Sequence, residues 1–502
     1  MNTEKKIRYT AYRKRFYIFL ILVMVFSTSC KDYLELLPLD GLVNDEYWKK
    51  KEDVEAVLMG AYQKFAQLHS KLFLYGEIRA DMLEIYRAPE YQSQIIYGNI
   101  EPDNPLCEWG DFYKVINYCN FVYDYAPKVM EVDKTFTEFQ MKGYQAEAVF
   151  LRSLTYFYLV RIFKDVPLVL SPTSSDDVDF FPEKSADTTI LRTVKEDLKA
   201  VLGTVRENYG SLENNKGRAT RGAINALIAD ISLWNFEYDE CIKYVENIEN
   251  DAYELMLPGD YYENFYPGNS LESIFEMQFN QSLGQYSSLY KLFDRYSGYY
   301  RASDISIELL GDDAGEVIRG NSSISMLSEN EYMIWKFMGS KADGHTYLGG
   351  SVNRSQNWII YRFADVLLMK AEALSQKSSP DFAKAAEIID RIRARALQNP
   401  ITIPENSVAF EDAIMEERAK ELAYEGKRWF DLMRMGRRND YIRKDNLIKI
   451  VIEDVSAAQK MVLASKLTDP YGWYLPIHFN ELETNGNLVQ NPYYEMYQRK
   501  KY

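Results

Sequence analysis

The stretch RGAINALIADISLWNFEYDECIKYVENIE at residues 221–249 decides the fold. Ala223, Ala226, Leu227, Ile231 and Trp234 recur at helical spacing and lay down one apolar stripe. A short turn then leads into a second amphipathic helix. Shifted by 144 residues, the stretch FADVLLMKAEALSQKSSPDFAKAAEIIDRIRAR at 363–395 repeats it. Ala229 falls on Ala373, Tyr238 on Phe382, Cys241 on Ala385, Val245 on Ile389 and Ile248 on Ile392. Each unit has a small residue on its first helix, a turn, an aromatic, and a small residue three positions later. Small residues let two helices approach closely, and the aromatic plugs the groove between hairpins.

That is the logic of a tetratricopeptide-like array of helical hairpins. Pro400 stands where such a unit stops, and Ala146-Glu147-Ala148-Val149 is a weaker echo of Ala371-Glu372-Ala373-Leu374. Further helices are expected near 53–68, 108–126, 138–164, 189–203 and 409–425. The fold class is mainly α: a tetratricopeptide-repeat-like helical scaffold with an irregular, loop-rich excursion. The excursion is marked by Pro258-Gly259, Pro267-Gly268 and Gly349-Gly350 and by the clusters Tyr286-Ser287-Ser288-Leu289-Tyr290 and Tyr296-Ser297-Gly298-Tyr299-Tyr300. A second irregular stretch runs from Pro89 to Glu108. The organisation read from this is a leader at 1–29, an N-terminal helical part at 30–251, the excursion at 252–358 and a C-terminal helical part at 359–502, one integrated domain after residue 30.

The 502 residues include 40 Tyr, 25 Phe and 7 Trp, and the net charge is −15. Tyr pairs an apolar face with a polar tip and suits half-wet binding surfaces. Residues 1–29 hold six basic residues and one acid, so the rest of the chain is still more acidic. Such a body repels phosphate backbones, which excludes nucleic acid as a partner. Lys5, Lys6, Arg8, Arg13, Lys14 and Arg15 precede an apolar run from Phe16 to Phe26. This run is shorter than the ~20 residues a membrane span needs, and fits a signal-peptide core. Ser27, Thr28 and Ser29 then lead to Cys30, as a lipoprotein signal peptidase requires, although an aliphatic residue is usual at Ser27. Cys30 is therefore the expected lipid-attachment residue. Cys107, Cys119 and Cys241 are expected as buried free thiols.

Catalytic motifs are scarce. His69, His345 and His478 are the only histidines, and no HExxH, Walker A loop or GxSxG occurs. No cofactor is expected. The one metal option is a structural Ca²⁺ at Asp312, Asp313 and Glu316. A glycosidase needs only two carboxylates. Yet the densest acidic set, Glu416, Glu417, Glu421 and Glu425, stands among Arg418, Lys420, Lys427 and Arg428, which reads as a structural ion network that favours charged carboxylates.

Several segments together resemble the SusD/RagB family of nutrient-binding outer-membrane lipoproteins. They are Cys30 followed by Asp45-Glu46-Tyr47-Trp48 and Gly60-Ala61-Tyr62, then Ala146-Glu147-Ala148-Val149-Phe150-Leu151-Arg152, and Phe163-Lys164-Asp165-Val166-Pro167-Leu168, where the family usually has Gly at Lys164. Gly217-Arg218-Ala219-Thr220 and Tyr361-Arg362-Phe363-Ala364-Asp365-Val366-Leu367-Leu368 match as well. The strongest match runs through Glu417-Arg418, Glu421-Leu422, Glu425-Gly426, Arg428, Asp431-Leu432 and Arg434-Met435-Gly436. Leu475-Pro476-Ile477 and Gln490-Asn491-Pro492 match the closing motif, from which His478, Gly486 and Tyr493 depart. The resemblance implies a ligand face on the excursion and no catalysis. It also implies a SusC-like TonB-dependent barrel as partner, with the chain as a lipid-anchored lid at the outer membrane facing outward. The expected ligand is a glycan, with a peptide as the alternative within the family and a surface glycosidase as the distant one. Ligand contacts are not carried by the matching motifs. The candidates, chosen by position and chemistry, are Trp109, Tyr91, Tyr97, Tyr286, Tyr290, Tyr296, Tyr299, Tyr300 and Arg301, whereas Trp335 reads as core.

Overall fold

The computed structural model describes residues 47–173, 179–328, 331–349 and 354–497. The expected leader at 1–29 and Cys30 lie outside them, and the account below concerns the compact unit from Trp48 onward.

Ten helices carry the scaffold: α1 (Lys51–Gln67), α2 (Gly110–Val132), α3 (Glu138–Phe163), α4 (Asp187–Val201), α5 (Arg221–Trp234), α6 (Tyr238–Glu249), α7 (Phe363–Gln376), α8 (Phe382–Arg395), α9 (Ser407–Glu421) and α10 (Arg428–Tyr441). Their starts are written locally. Thr137 and Gln140 close a capping box on α3, Thr220 caps α5, and Asn406 accepts from two backbone amides at the start of α9. α3 stops at Lys164, whose φ of +67° lies where glycine is at ease. The Lys164 ammonium is held 2.7 Å from Asp187 at the start of α4.

The repeated hairpins are α5–α6 and α7–α8. α6 packs directly on α7, so the units stack as neighbours although 113 residues separate Glu249 from Phe363. Ala229, Cys241, Ala373 and Ala385 are fully buried at these contacts, as close helix approach requires. Phe382 stacks on Phe410 of α9 with centroids 5.4 Å apart, plugging the next groove. On the other side α5 meets α4, α4 packs on α3, and α3 on α2 and α1. The array is thus continuous from α1 to α10, and the excursion is a long insertion between two consecutive repeats. Within it lie short antiparallel pairs and helical turns. Ser273–Met277 pairs with Trp358–Arg362 at the exit and re-entry of the excursion, and Ile324–Ser328 pairs with Glu331–Ile334. The stretch from Pro89 to Glu108 is less irregular than expected, since Glu90–Ile96 forms a helix there.

Residues 417–425 build the charged heart of the molecule. Glu421 lies 2.6 Å from Arg362 and also pairs with Arg395, while Glu425 takes Arg362 at 2.8 Å and Lys336 at 2.9 Å. Arg319 bonds Glu316 and Glu417. All are buried. Burial opposes ionisation of Glu421, but Arg395, Arg362 and Arg319 outweigh it and hold the carboxyl well below its usual range. This is the structural network expected from the sequence, and the opposite of what a general acid needs. α9 ends at Glu421, earlier than the expected 425, because Tyr424 and Gly426 take positive φ. Cys107, Cys119 and Cys241 are free and buried, and Trp335 is fully enclosed.

Candidate functional site

Nine sequence candidates for ligand contact separate into three groups. Trp109 stands in the core at 2% exposure, edge-on to Phe163 with centroids 5.4 Å apart. Its position at the start of α2 points it inward, which corrects the expectation of a loop-borne ring. Tyr300 is also enclosed, its hydroxyl donating to Gln92 Oε1 at 2.5 Å. Arg301 is 3% exposed, its guanidinium spent on the carbonyls of Asp294, Tyr300 and Arg295 and on Glu331 at 3.3 Å. Neither Tyr300 nor Arg301 presents a surface, so both are positioning residues. Tyr97 is half-buried and lies apart, its carbonyl accepting from Lys466 on the Ala457–Leu467 helix.

The remaining rings lie on or beside one segment, 286–299. Leu83–Ile85 pairs antiparallel with Tyr300–Ala302, Glu84 facing Arg301. Beyond that pair the amides of Tyr86 and Arg87 both donate to the Tyr299 carbonyl, at 2.9 and 3.0 Å. Arg87 also donates to the Tyr296 carbonyl at 2.6 Å. Tyr296, 72% exposed, sits at the tip of a turn that Asp294 builds by accepting from the amides of Tyr296 and Ser297. Burial would raise the Asp294 carboxyl, but these donors and the Tyr347 hydroxyl hold it low, so the turn-forming acid stays charged. Tyr299 and Tyr91 are half-buried, both neighbours of the enclosed Tyr300.

A scaffold histidine secures the other end of the segment. His69 is buried, its Nδ1 2.7 Å from the Ala66 carbonyl, and its Nε2 accepts from the Ser288 amide at 2.8 Å. The bonds assign the proton to Nδ1. Burial lowers its pKa to about 4, so it stays neutral and keeps accepting at ordinary pH. On either side of Ser288, Tyr286 is 51% exposed and Tyr290 half-buried, with the Arg354 guanidinium 5.9 and 4.6 Å from their ring centroids. Residues 286–299 therefore hold four tyrosines, pinned through His69 and through the strand pair at Leu83–Ile85.

Sequence reasoning missed Tyr86, whose ring lies 4.1 Å from Arg301 and 4.8 Å from Arg87. Only its step of two from Glu84 along an extended stretch hints at it. The metal option does not gather: Glu316 is taken by Arg319, and among the described residues no three acids, histidines or cysteines converge. Rings with apolar faces beside guanidinium and carboxylate groups can stack on the C–H face of a flat ligand and hydrogen-bond its polar rim.

A family model described as "Starch-binding associating with outer membrane" matches residues 32–233, and one described as "SusD family" matches residues 317–494. The tyrosine segment at 286–299 falls between the two matches. The SusD-like protein P38 of Formosa agariphila is 27% identical over 472 residues, 83% of this chain and 90% of that protein. A SusD superfamily protein from Bacteroides vulgatus superposes with a TM-score of 0.74 at 22% identity, covering 89% of this chain and 100% of that one. The surface glycan-binding protein A of Bacteroides thetaiotaomicron, solved with laminarihexaose, gives 0.69 at 21% identity, covering 88% of this chain and 100% of that one. Among the described residues no helix is long and apolar enough to cross a membrane. With both ends of the helical array matched and its architecture shared, the chain belongs to the SusD family.

Proposed function

We propose that this protein binds oligosaccharide at the cell surface, on the face formed by Tyr286, Tyr290, Tyr296 and Tyr299, and breaks no bond in it. The observation that carries the reading is that Tyr286 and Tyr296 are exposed and Tyr290 and Tyr299 half-exposed on one segment held by buried scaffold contacts. Exposed aromatic rings otherwise cost solvation, and rigid support lowers the entropy lost when a ligand stacks. A relative of the same fold was solved with laminarihexaose, which supports glycan as the ligand class. Binding without cleavage is supported by the cation-paired carboxylates at Glu417, Glu421 and Glu425. The same reading makes Cys30 the lipid anchor to the outer membrane and a SusC-like TonB-dependent barrel the partner, over which the chain closes as a lid. Ligand then favours closure only by binding the closed form more tightly.

Isothermal titration of the mature protein against a panel of soluble oligosaccharides and a peptide mixture tests this, with a reducing-sugar assay alongside. Heat with one or more oligosaccharides and no release of reducing ends is expected. Heat with peptides alone would move the chain to the peptide-binding members, and release of reducing ends would make it a hydrolase.

A further inference from the structure

A concavity adjoins the tyrosine turn. It is a cleft of about 360 Å³ lined chiefly by Arg295, Asp312, Asn321, Ser325, Asp343 and His345, with Tyr332 beneath. Arg295 belongs to both features: it lines the cleft, and its chain neighbours Asp294 and Tyr296 form the exposed turn. Besides Arg295 and the stretch at Leu310 and Asp312, three pieces of the excursion line it. These are the Val317–Ser323 helix, the hairpin of Ile324–Ser328 with Glu331–Ile334, and the turn at 342–345.

Its walls offer unspent hydrogen-bonding groups of both kinds. Among the described residues the Arg295 guanidinium and the Asn321 amide make no hydrogen bond, Arg295 donating to Tyr347 and accepting from Arg301 through its backbone alone. Asp343 Oδ1 accepts from the amides of His345 and Thr346 and from the Thr346 hydroxyl, all at 2.8 Å, which fixes the carboxylate and leaves Oδ2 to the cleft. Asp312 Oδ2 accepts from the Tyr332 hydroxyl at 3.3 Å and keeps lone pairs in reserve. The volume falls in the range of small-molecule sites, and the lining is polar rather than aromatic. An apolar occupant would strip water from these groups without replacing it, whereas a ligand dense in hydroxyls can donate to the carboxylates and accept from the guanidinium and the amide at once.

We propose that this cleft is a second carbohydrate subsite, which takes a short hydroxyl-rich unit of the ligand whose main chain lies on the tyrosine face. The unit is either a side branch or a chain end, both presenting the same chemistry. This rests on the oligosaccharide reading above, and extends it from a stacking face to a face with a lateral hydrogen-bonding pocket. Arg295 is the hinge between the two.

The test uses the mature protein and two cleft variants at an exposed position, Asn321→Trp to fill the space and Asn321→Ala to remove the amide, with circular dichroism to check folding. Glucose, galactose, mannose and xylose are each offered at high concentration and read by saturation-transfer NMR. At least one is expected to receive saturation in wild type, to lose it in Asn321→Trp, and to keep it in Tyr296→Ala. For whichever oligosaccharide binds in titration, Asn321→Trp is expected to weaken affinity about tenfold, the worth of one or two good hydrogen bonds. A loss for linear chains assigns the chain end, and a loss confined to branched ones assigns the branch. No monosaccharide signal, or a signal and affinities unmoved by Asn321→Trp, would overturn the subsite. If Tyr296→Ala still weakens oligosaccharide binding in that case, the tyrosine face stands without the cleft. If no oligosaccharide binds at all, both readings fall.

Discussion

Trp109 and Tyr296 look alike in the sequence, each an aromatic beside an irregular segment, and the structure separates them completely. Trp109→Ala should cost ~3–5 kcal/mol in denaturant unfolding because it leaves a cavity against Phe163. Tyr296→Ala should leave unfolding unchanged and weaken oligosaccharide binding roughly two- to tenfold in titration. The sequence could not tell them apart because burial is set by which segment packs over a ring, a tertiary fact. Arg301 makes the same point from the other side, as a cation chosen by position and chemistry that instead organises the turn from beneath. Glu77 carries a pH signature. It is fully buried and accepts from the amides of Gly426 and Lys427, and desolvation pushes its carboxyl up to about 8. Between its unfolded value near 4.5 and that folded value the native state holds an extra proton, so stability falls as pH rises through that window. Urea unfolding at about pH 5.5 and about pH 8.5 should show wild type less stable at the higher pH, by an amount on the order of a few kcal/mol, and Glu77→Gln nearly level. An equal pH slope in both would assign the effect elsewhere.

At the scale of elements, the hairpins at 221–249 and 363–395 were legible because their small residues and aromatics recur at a fixed offset, and the structure stacks them side by side. The acidic stripe at 417–425 was legible as an ion network because cations alternate with it. The partners Arg319, Lys336, Arg362 and Glu272 come from the excursion and its borders, and nothing local announces them. Gly426, part of the strongest matching motif, now has a physical reason. It takes φ +76° with the Trp358 ring against it, and its carbonyl would lie 1.8 Å from a Cβ placed on Gly76. Gly76→Ala should therefore force the His69–Glu77 helix and the turn at Gly426 apart and cost ~1–3 kcal/mol or more in thermal or urea unfolding. Ala385→Leu should cost a similar ~1–3 kcal/mol by overpacking α7 against α8. Wild-type stability in Ala385→Leu would mean the hairpins do not approach as described.

From Trp48 onward the described residues form a helical array with its longest interruption between α6 and α7, the segment that carries both the tyrosine face and the polar cleft. The interruption was visible as a break in helical rhythm, but its aromatic content gave no way to rank individual rings. Four of the nine chosen residues lie on the segment at 286–299, which the strand pair at Leu83–Ile85 and the bond to His69, both distant in sequence, hold in place. At this scale Cys30→Ala should leave the fold intact and abolish detergent-phase partitioning, and partitioning equal to wild type would refute the anchor. The central claim is that the tyrosine segment grips a sugar chain. Titrating wild type and the double variant Tyr296→Ala with Tyr299→Ala against the best-binding oligosaccharide measures it directly. Saturable heat in wild type, lost in a double variant that unfolds at the same denaturant concentration, is the predicted result, and undiminished affinity in that variant would contradict it.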